Sequence, residues 1–381
     1  MSERYLSKNT ANIKRIIAIS DIHGDGLLLR RLMTRLAPGS SDLVVLVGDY
    51  INRGPDSDDA LHTVMQLSAR ENVVVLKGNM DRLIDWYFWR GPADLVFGHF
   101  REYQANRFGI LFFEWARKCG YETVTPENFE EIRSVLAKRY EAEGQFVRDL
   151  PFGLETDSHL FVHAGVCVSA DWRDSTEQEL LKNDPFLMHG VNNTGKTIVV
   201  GHTPVWNSPL SKNCNNAIID PERRVIGIDG GIGVKSFSQL NALVITRTPD
   251  GFRYETVFED RYPRFTARCS YQPQEQDWPV LKDAWPDYYL DVLSRGPMFS
   301  LCRLTGSGRT GMVKNEHIGA DADGRTWFSH NSISTLLPVS AGEQLALLDG
   351  GCDGYLYVKN AAGAIGWVPR QAAGDMEPSA G

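Results

Sequence analysis

The feature that most constrains this chain is a repeated punctuation: short apolar runs, each followed by a residue suited to binding a hard cation. Arg15 to Ser20 (RIIAIS) leads to Asp21, Leu43 to Val47 (LVVLV) to Gly48-Asp49, and Val73 to Leu76 (VVVL) to Gly78-Asn79. Later, Leu160 to Val162 precedes His163, and Thr197 to Val200 (TIVV) precedes Gly201-His202. Continuous runs of this length, separated by helix-like segments at Leu27 to Leu36 and Asp58 to Ala69, predict buried strands in β-α-β units. The carboxyl ends of strands form the ligand crevice of open α/β sheets, so five distant segments are expected to meet in one place.

The texture changes twice along the chain. Asp81 to Leu150 is rich in aromatic residues at helical spacing, as in DWYFW at Asp85 to Trp89 and in Phe129 to Glu143. We expect a mostly helical insertion, 81–150, overhanging the crevice of a catalytic domain spanning 1–265. The Trp86 to Trp89 cluster reads as helix packing in preference to a wall for a nucleotide base. Residues 266–319, with Pro273, Pro279 and Pro286, read as linker and short β pieces, and 320–381 as a small all-β domain. Gly308 to Ile318 faintly echoes the order of glycine, valine and basic residues in Gly363 to Arg370. A length of 381 residues fits a large domain plus a smaller one.

Composition narrows the functional classes. A formal charge of -8 argues against a broad basic surface for nucleic acid. The six cysteines are scattered with no C-x-x-C pair, as in a reduced cytoplasmic protein. Met1 to Asn12 is polar and no run approaches the ~20 apolar residues of a membrane span, so we expect a cytoplasmic chain with no membrane partner. His62, His159 and His317 read as ordinary surface or loop residues.

Carboxylates, amide oxygens and imidazoles bind divalent ions, and two neighbouring ions need a shared ligand. Asp21 and His23, one residue apart after a strand, point to one side and suit a single ion. Asp49, Asn79, His163 and His202 stand at the other strand ends, where one of them can bridge.

In Asp21-Ile-His23-Gly24, Gly48-Asp49 through Arg53-Gly54, Gly78-Asn79-Met80-Asp81, His163-Ala164-Gly165, Gly201-His202-Thr203-Pro204 and Ile228-Asp229-Gly230-Gly231, the sequence resembles the calcineurin-like metallophosphoesterases. The likeness is strongest to the serine/threonine phosphoprotein phosphatase group and its bacterial relatives, over about 13 to 247. It implies a four-layer α/β/β/α sandwich. It also implies that Asp21 and His23 bind a first ion, that Asp49 bridges, and that Asn79, His163 and His202 hold a second. The implied cofactor is a pair of divalent or trivalent metal ions, manganese foremost, with iron or zinc as alternatives. Such ions, roughly 3.5 to 4 Å apart, activate a bridging hydroxide that attacks phosphorus in line, without a covalent enzyme intermediate. Arg53 would fork onto the substrate phosphate, beside Asn79 and His163.

The chain departs from that family in specific ways. Met80 stands where the family has a histidine, and Asn52 where it has the aspartate orienting that histidine. A thioether cannot protonate a leaving oxygen, a step typically worth about 10² to 10⁴ in rate. A preference for aryl phosphates or phosphoanhydrides over alkyl esters is therefore expected, unless Asp81, His99 or another residue of the insertion supplies the proton. Lys182 and Asn183 stand where bacterial relatives place an arginine.

The C-terminal segment, with Gly342-Glu-Gln-Leu, Asp353 to Lys359 and Gly366-Trp-Val-Pro, looks like the second half of an SH3-type barrel. Its Tyr355 and Trp367 suit a barrel core as readily as a groove for a peptide partner. The leading expectation is a metal-dependent phosphatase acting on phosphoproteins or small phosphorylated molecules. A dinucleoside polyphosphate hydrolase, or a catalytically silent phosphate-binding scaffold, are the alternatives.

Overall fold

The computed structural model describes residues 4–169, 171–183, 185–274, 279–283 and 285–373. The expected bounds at residues 1 and 381, and positions 275–278 and 284 of the expected linker, lie outside the described residues. The chain divides into two compact units. One comprises Met1–Val205, Asn216–Val234 and Ser238–Asp260; the other comprises Trp206–Asn215, Lys235–Phe237 and Arg261–Gly381.

Among the described residues the first unit holds eleven strands: β1 (Tyr5–Ser7), β2 (Arg15–Ile19), β3 (Asp42–Leu46), β4 (Val73–Val75), β5 (Gly153–Glu155), β6 (His159–Val162), β7 (Thr197–Val200), β8 (Ile218–Asp220), β9 (Val225–Gly227), β10 (Leu240–Thr248) and β11 (Gly251–Glu259). They form two sheets, ordered β11-β10-β2-β3-β4 and β1-β5-β6-β7-β9-β8. β2, β3 and β4 pair in parallel, as do β6, β7 and β9.

Side-chain alternation turns these sheets into four layers. Ile16, Ala18, Leu43 and Val45 of one sheet pack with Phe161, Val199 and Ile226 of the other. The intervening residues Ile17, Ile19, Val44 and Leu46 face outward onto helices, as Leu160, Val162, Ile198 and Val200 do on the far side. These strands are therefore buried on both faces, which is why they read as unbroken apolar runs. Each such buried side chain contributes roughly 1.5–3 kcal/mol relative to exposure.

Helices α1 (Gly26–Leu36) and α2 (Ser57–Ser68) cover the first sheet. Each starts where an aspartate accepts a hydrogen bond from a first-turn amide: Asp25 from Leu28 N, and Asp56 from Asp59 N. Between β4 and β5 come α3 (Leu83–Asp85), a π-helical turn Trp86–Arg90, α4 (Ala93–Ala105), α5 (Leu111–Lys118), α6 (Phe129–Arg139) and α7 (Glu141–Asp149). Phe88, Phe100, Phe112 and Phe129 join these into one aromatic core. On the other sheet, α8 (Glu177–Lys182) and α9 (Phe186–His189) supply Leu180, Phe186 and Leu187.

Among the described residues the second unit is all-β apart from short helical turns. It comprises β12 (Arg264–Thr266), β13 (Leu290–Ser294), β14 (Phe299–Leu304), β15 (Thr310–Lys314), β16 (Ile318–Ala320), β17 (Thr326–Phe328), β18 (Gln344–Asp349), β19 (Tyr355–Lys359) and β20 (Ile365–Pro369). Sheets β13-β14-β15 and β12-β18-β19-β20 each contain a three-stranded antiparallel meander. Each meander runs into a short helix, Asn315–His317 in the first and α10 (Arg370–Ala373) in the second. The two stretches that echo one another in sequence are these last strands with their helices.

Trp367 is core, with Nε1 donating to the Ile333 carbonyl at 2.9 Å. Two histidines expected at the surface are fully buried, each for a visible reason. His159 lies within β6 against Phe161, Phe252 and Tyr254. His317 points Nε2 at Asp349 Oδ2 (3.0 Å), an oxygen that also accepts from the Cys352 thiol (3.5 Å). Burial and Asp349 push that thiol up to about 12, so it is no nucleophile. Among the described residues no helix is long and apolar enough to cross a membrane.

Candidate metal centre

All six expected donors lie in the first unit, on loops leaving β2, β3, β4, β6 and β7. The loops are laced by backbone hydrogen bonds. Asp21 N donates to the Gly48 carbonyl (3.0 Å), His23 N to Asp49 O (2.9 Å), Gly24 N to Tyr50 O (2.8 Å) and Gly201 N to His163 O (2.9 Å). Two more bonds join the sheets: His202 N donates to Asp21 Oδ2 (2.9 Å), and His163 Nδ1 meets the Val47 carbonyl at 2.9 Å. A carbonyl only accepts, so Nδ1 carries hydrogen and Nε2 faces the other donors.

The lacing forces unusual backbone. Asp21, His23, Asp49 and His202 all have positive φ, at 55°, 45°, 59° and 63°. A left-handed conformation costs a non-glycine residue roughly 1–2 kcal/mol, so four at one spot mark a place held together for function. The glycines of the motifs serve the same approach: a Cβ on Gly201 would overlap Ser20 Oγ and Asp21 Oδ2, and one on Gly78 would overlap Asp49.

The donors form two groups that share one residue. Asp21, His23 and Asp49 offer atoms within 4.8 Å of one another, and so do Asp49, His163 and His202. His23 Nε2 lies 3.7 Å from Asp21 Oδ1 and 3.8 Å from Asp49 Oδ2; His163 Nε2 lies 3.4 Å from Asp49 Oδ1. The terminal amide of Asn79 reaches to 3.0 Å from His163 Nε2 and 2.8 Å from His202 Nδ1. With nitrogen in that place it donates to both imidazoles; with oxygen there it joins them as a third cation donor.

Charge and burial fit two cations. Asp21 Oδ1 is buried with no hydrogen-bond partner, a state that costs about 1–3 kcal/mol unless a cation relieves it. Asp21, Asp49, Asp81 and Asp229 are all buried here. Burial and Asp21 raise Asp229 well above the usual carboxylate range. At Asp49 burial opposes ionisation, but His163 and the other imidazoles hold the carboxyl below its ordinary value. His163 mirrors this: burial disfavours its charge, yet Asp49 prevails and raises it to about 10. Burial and Arg53 lower His23 to about 3, leaving it a neutral ligand. A cation would take the place of the proton on His163.

The remaining expected residues fall at the rim. Arg53 is positioned by a two-way backbone pairing with Gly109, at 2.8 and 3.2 Å, and its guanidinium packs on Phe108. Met80 is buried, and its amide donates to Asp49 Oδ1 (2.8 Å). Asn52 is buried too, its oxygen accepting from Leu111 N at the start of α5 (2.9 Å). Asp81 does not face the crevice as a proton donor: its oxygens accept from the amides of Gly78 (2.8 Å), Asp49 (2.9 Å) and Tyr50 (2.9 Å). Asn183 is used structurally, donating to the Val166 carbonyl, while Lys182 is exposed and acts on His99 through its field.

Two residues were missed by the sequence. Asp229 stands within a motif whose spacing assigns it no role; its Oδ1 accepts from Gly231 N (2.7 Å) and its field reaches Arg53. Tyr103 of α4 carried no sequence signal, yet its hydroxyl donates to Met80 Sδ (3.3 Å) and its ring packs at 5.3 Å on Phe108, the ring that also carries the Arg53 guanidinium. A cavity of about 690 Å³ is lined in part by Lys77, Arg82, Arg90 and Arg148 together with Asp85 and Glu177.

The sequence model of the calcineurin-like phosphoesterase family matches residues 14–231. No curated protein matches the chain. Similar solved structures include a protein-tyrosine phosphatase of a psychrophilic Shewanella species, at 17% identity over 67% of this chain and 82% of that one, with a TM-score of 0.38. A serine/threonine phosphatase of Saccharomyces cerevisiae aligns at 12% identity over 68% and 84%, with a TM-score of 0.40. A metallophosphoesterase of Sphaerobacter thermophilus aligns at 17% identity over 66% and 90%, with a TM-score of 0.38.

Proposed function

This chain belongs to the calcineurin-like phosphoesterase family, and on that premise we propose that it is a metal-dependent phosphatase hydrolysing phosphate monoesters or phosphoanhydrides. The observation that carries the reading is Asp49, which belongs to both donor groups and so can hold two cations side by side. Asp21 and His23 would complete one site, and Asn79, His163 and His202 the other; manganese is the metal we would supply first. When bound, such a pair supplies Lewis-acid charge and lowers the pKa of water.

The protein's own groups do the rest. Arg53, braced by Gly109 and Phe108, binds and orients the phosphoryl oxygens as a planar fork. Asp81 fixes the three amides that aim Asp49. Asp21 anchors His202 through its amide, so the two sheets cannot part without losing a donor.

The test is turnover of an aryl phosphate by the manganese-loaded protein and by Asp49→Asn. Altering groups that merely support metal ligands costs about 10–100-fold, so loss of a shared ligand should exceed 100-fold and lower bound metal. Undiminished turnover by Asp49→Asn would reject the reading, and metal binding without turnover by the wild type would favour a silent phosphate-binding scaffold.

A second reading has its own observation. In the cavity lined by Lys77, Arg148, Trp86 and Phe152, Arg82 pairs with Glu177 (3.2 Å) and Arg90 with Asp85 (2.9 Å), while Lys77 and Arg148 stand beside the aromatic rings, which suits a further phosphate and a base, as in a dinucleoside polyphosphate. For the second unit we retain an SH3-like reading, supported by two meanders that each run into a short helix.

A further inference from the structure

We propose that Tyr103 is the proton donor to the leaving oxygen in the hydrolysis proposed above, an inference that rests on that reading of the metal centre. The argument begins from what surrounds Arg53. The guanidinium that would hold the phosphoryl group packs on Phe108 at 5.8 Å, and the Tyr103 ring meets the same Phe108 ring at 5.3 Å, so the phenol stands beside the place where the ester bond breaks. Its other contact is Met80 Sδ at 3.3 Å. The hydroxyl donates its hydrogen to the thioether, a weak acceptor. A proton held that loosely is free to turn to a better acceptor as charge grows on the departing oxygen.

The neighbouring groups are unsuited to the task. Met80 has no proton to give, and Arg53 does not give one up. Both oxygens of Asp81 are committed to backbone amides. Burial lowers His99, with its ring against Tyr103 at 4.2 Å, so it is neutral at physiological pH and shields the phenol from water.

Tyr103 itself is 6% exposed. Burial raises its pKa while Arg53 opposes, so the hydroxyl stays protonated. The charged and titratable groups facing it are Arg53, Glu102, Tyr87 and His99, with Asp49 beyond.

The step balances. Water oxygen bonds to phosphorus as the bond from phosphorus to the leaving oxygen breaks, and that electron pair goes to the leaving oxygen. The oxygen takes the phenolic proton and departs as an alcohol. The tyrosinate, stabilised by Arg53, regains a proton from the attacking water through solvent.

The experiment compares full-length wild type with Tyr103→Phe, both manganese-loaded with equal metal content, on monoesters whose leaving alcohols span aryl to alkyl. General acid catalysis is worth about 10² to 10⁴. The kcat of Tyr103→Phe on an alkyl phosphate should therefore fall at least 100-fold, and at least tenfold less on a nitrophenyl phosphate. KM should change little. Equal losses on both, or none, overturn the assignment while leaving the metal reading intact; no metal-dependent turnover by the wild type overturns both. If Tyr103→Phe fails to fold, 3-fluorotyrosine at position 103 serves instead. Its lower phenolic pKa should shift the alkaline limb of kcat on the alkyl ester to lower pH, and an unmoved limb overturns the assignment.

Discussion

At Gly48 a single added carbon would lie 2.7 Å from the Gly78 backbone and 2.8 Å from His163 Nδ1, on a residue whose φ is +94°. Overpacking costs about 1–3 kcal/mol and a left-handed alanine about 1–2 more. Gly48→Ala should therefore destabilise the protein by about 2–5 kcal/mol and reduce bound metal, because the nearest movable group is a ligand. Denaturant unfolding and metal analysis check this; full metal content at an unchanged midpoint would contradict it. The same residues show how far the sequence could be read. Asp21, Asp49, Asn79, His163 and His202 were visible because each follows an apolar run, and the glycines between run and donor mark the close approach. Tyr103 was invisible because its place beside Arg53 depends on how α4 packs, which no local spacing records. Asp229 was visible as a motif but not as a group, since its influence on Arg53 exists only once the chain has folded.

Elements follow the same division. β2, β3, β4, β6 and β7 lie within a residue or so of the expected runs, because strands buried on both faces leave an unambiguous apolar signature. The helical spacing of Phe129 to Glu143 is realised in two helices, α6 and α7, parting at Tyr140, whose ring stacks on Trp115 at 3.9 Å. Periodicity cannot see that stacking partner. His159, expected at the surface, opens β6 instead, and this has a consequence for pH. Burial lowers its pKa from 6.5 to about 4. Below pH 6.5 the unfolded chain binds a proton that the folded chain refuses, so folding stability falls as pH drops from 6.5 to 4 and is fully present above that window. The 2.5-unit difference is worth about 3 kcal/mol at 1.36 kcal/mol per unit. Urea unfolding across this range should show that loss in the wild type and a flatter profile in His159→Phe. Identical profiles would mean that other groups set the acid limb.

At the scale of the molecule, the second unit includes Trp206–Asn215 and Lys235–Phe237, segments embedded between strands of the first. Nothing in the sequence signals this, because residues more than fifty positions away decide it. Trp206 is buried with Phe237, Tyr357 and Trp367, and its Nε1 donates to the Asp283 carbonyl (3.1 Å) and carboxylate (3.0 Å). Only one residue away, Val205 N donates to the Asp229 carbonyl (2.9 Å) in the first unit. The chain thus passes from one core to the other just after His202. Truncating a buried tryptophan costs about 3–5 kcal/mol, and that loss should fall on the second unit, because Val205 keeps its own anchor. Trp206→Ala should therefore speed hydrogen exchange in β18, β19 and β20 while the protein retains its metal and its turnover of an aryl phosphate. Loss of metal in step with faster exchange would contradict this.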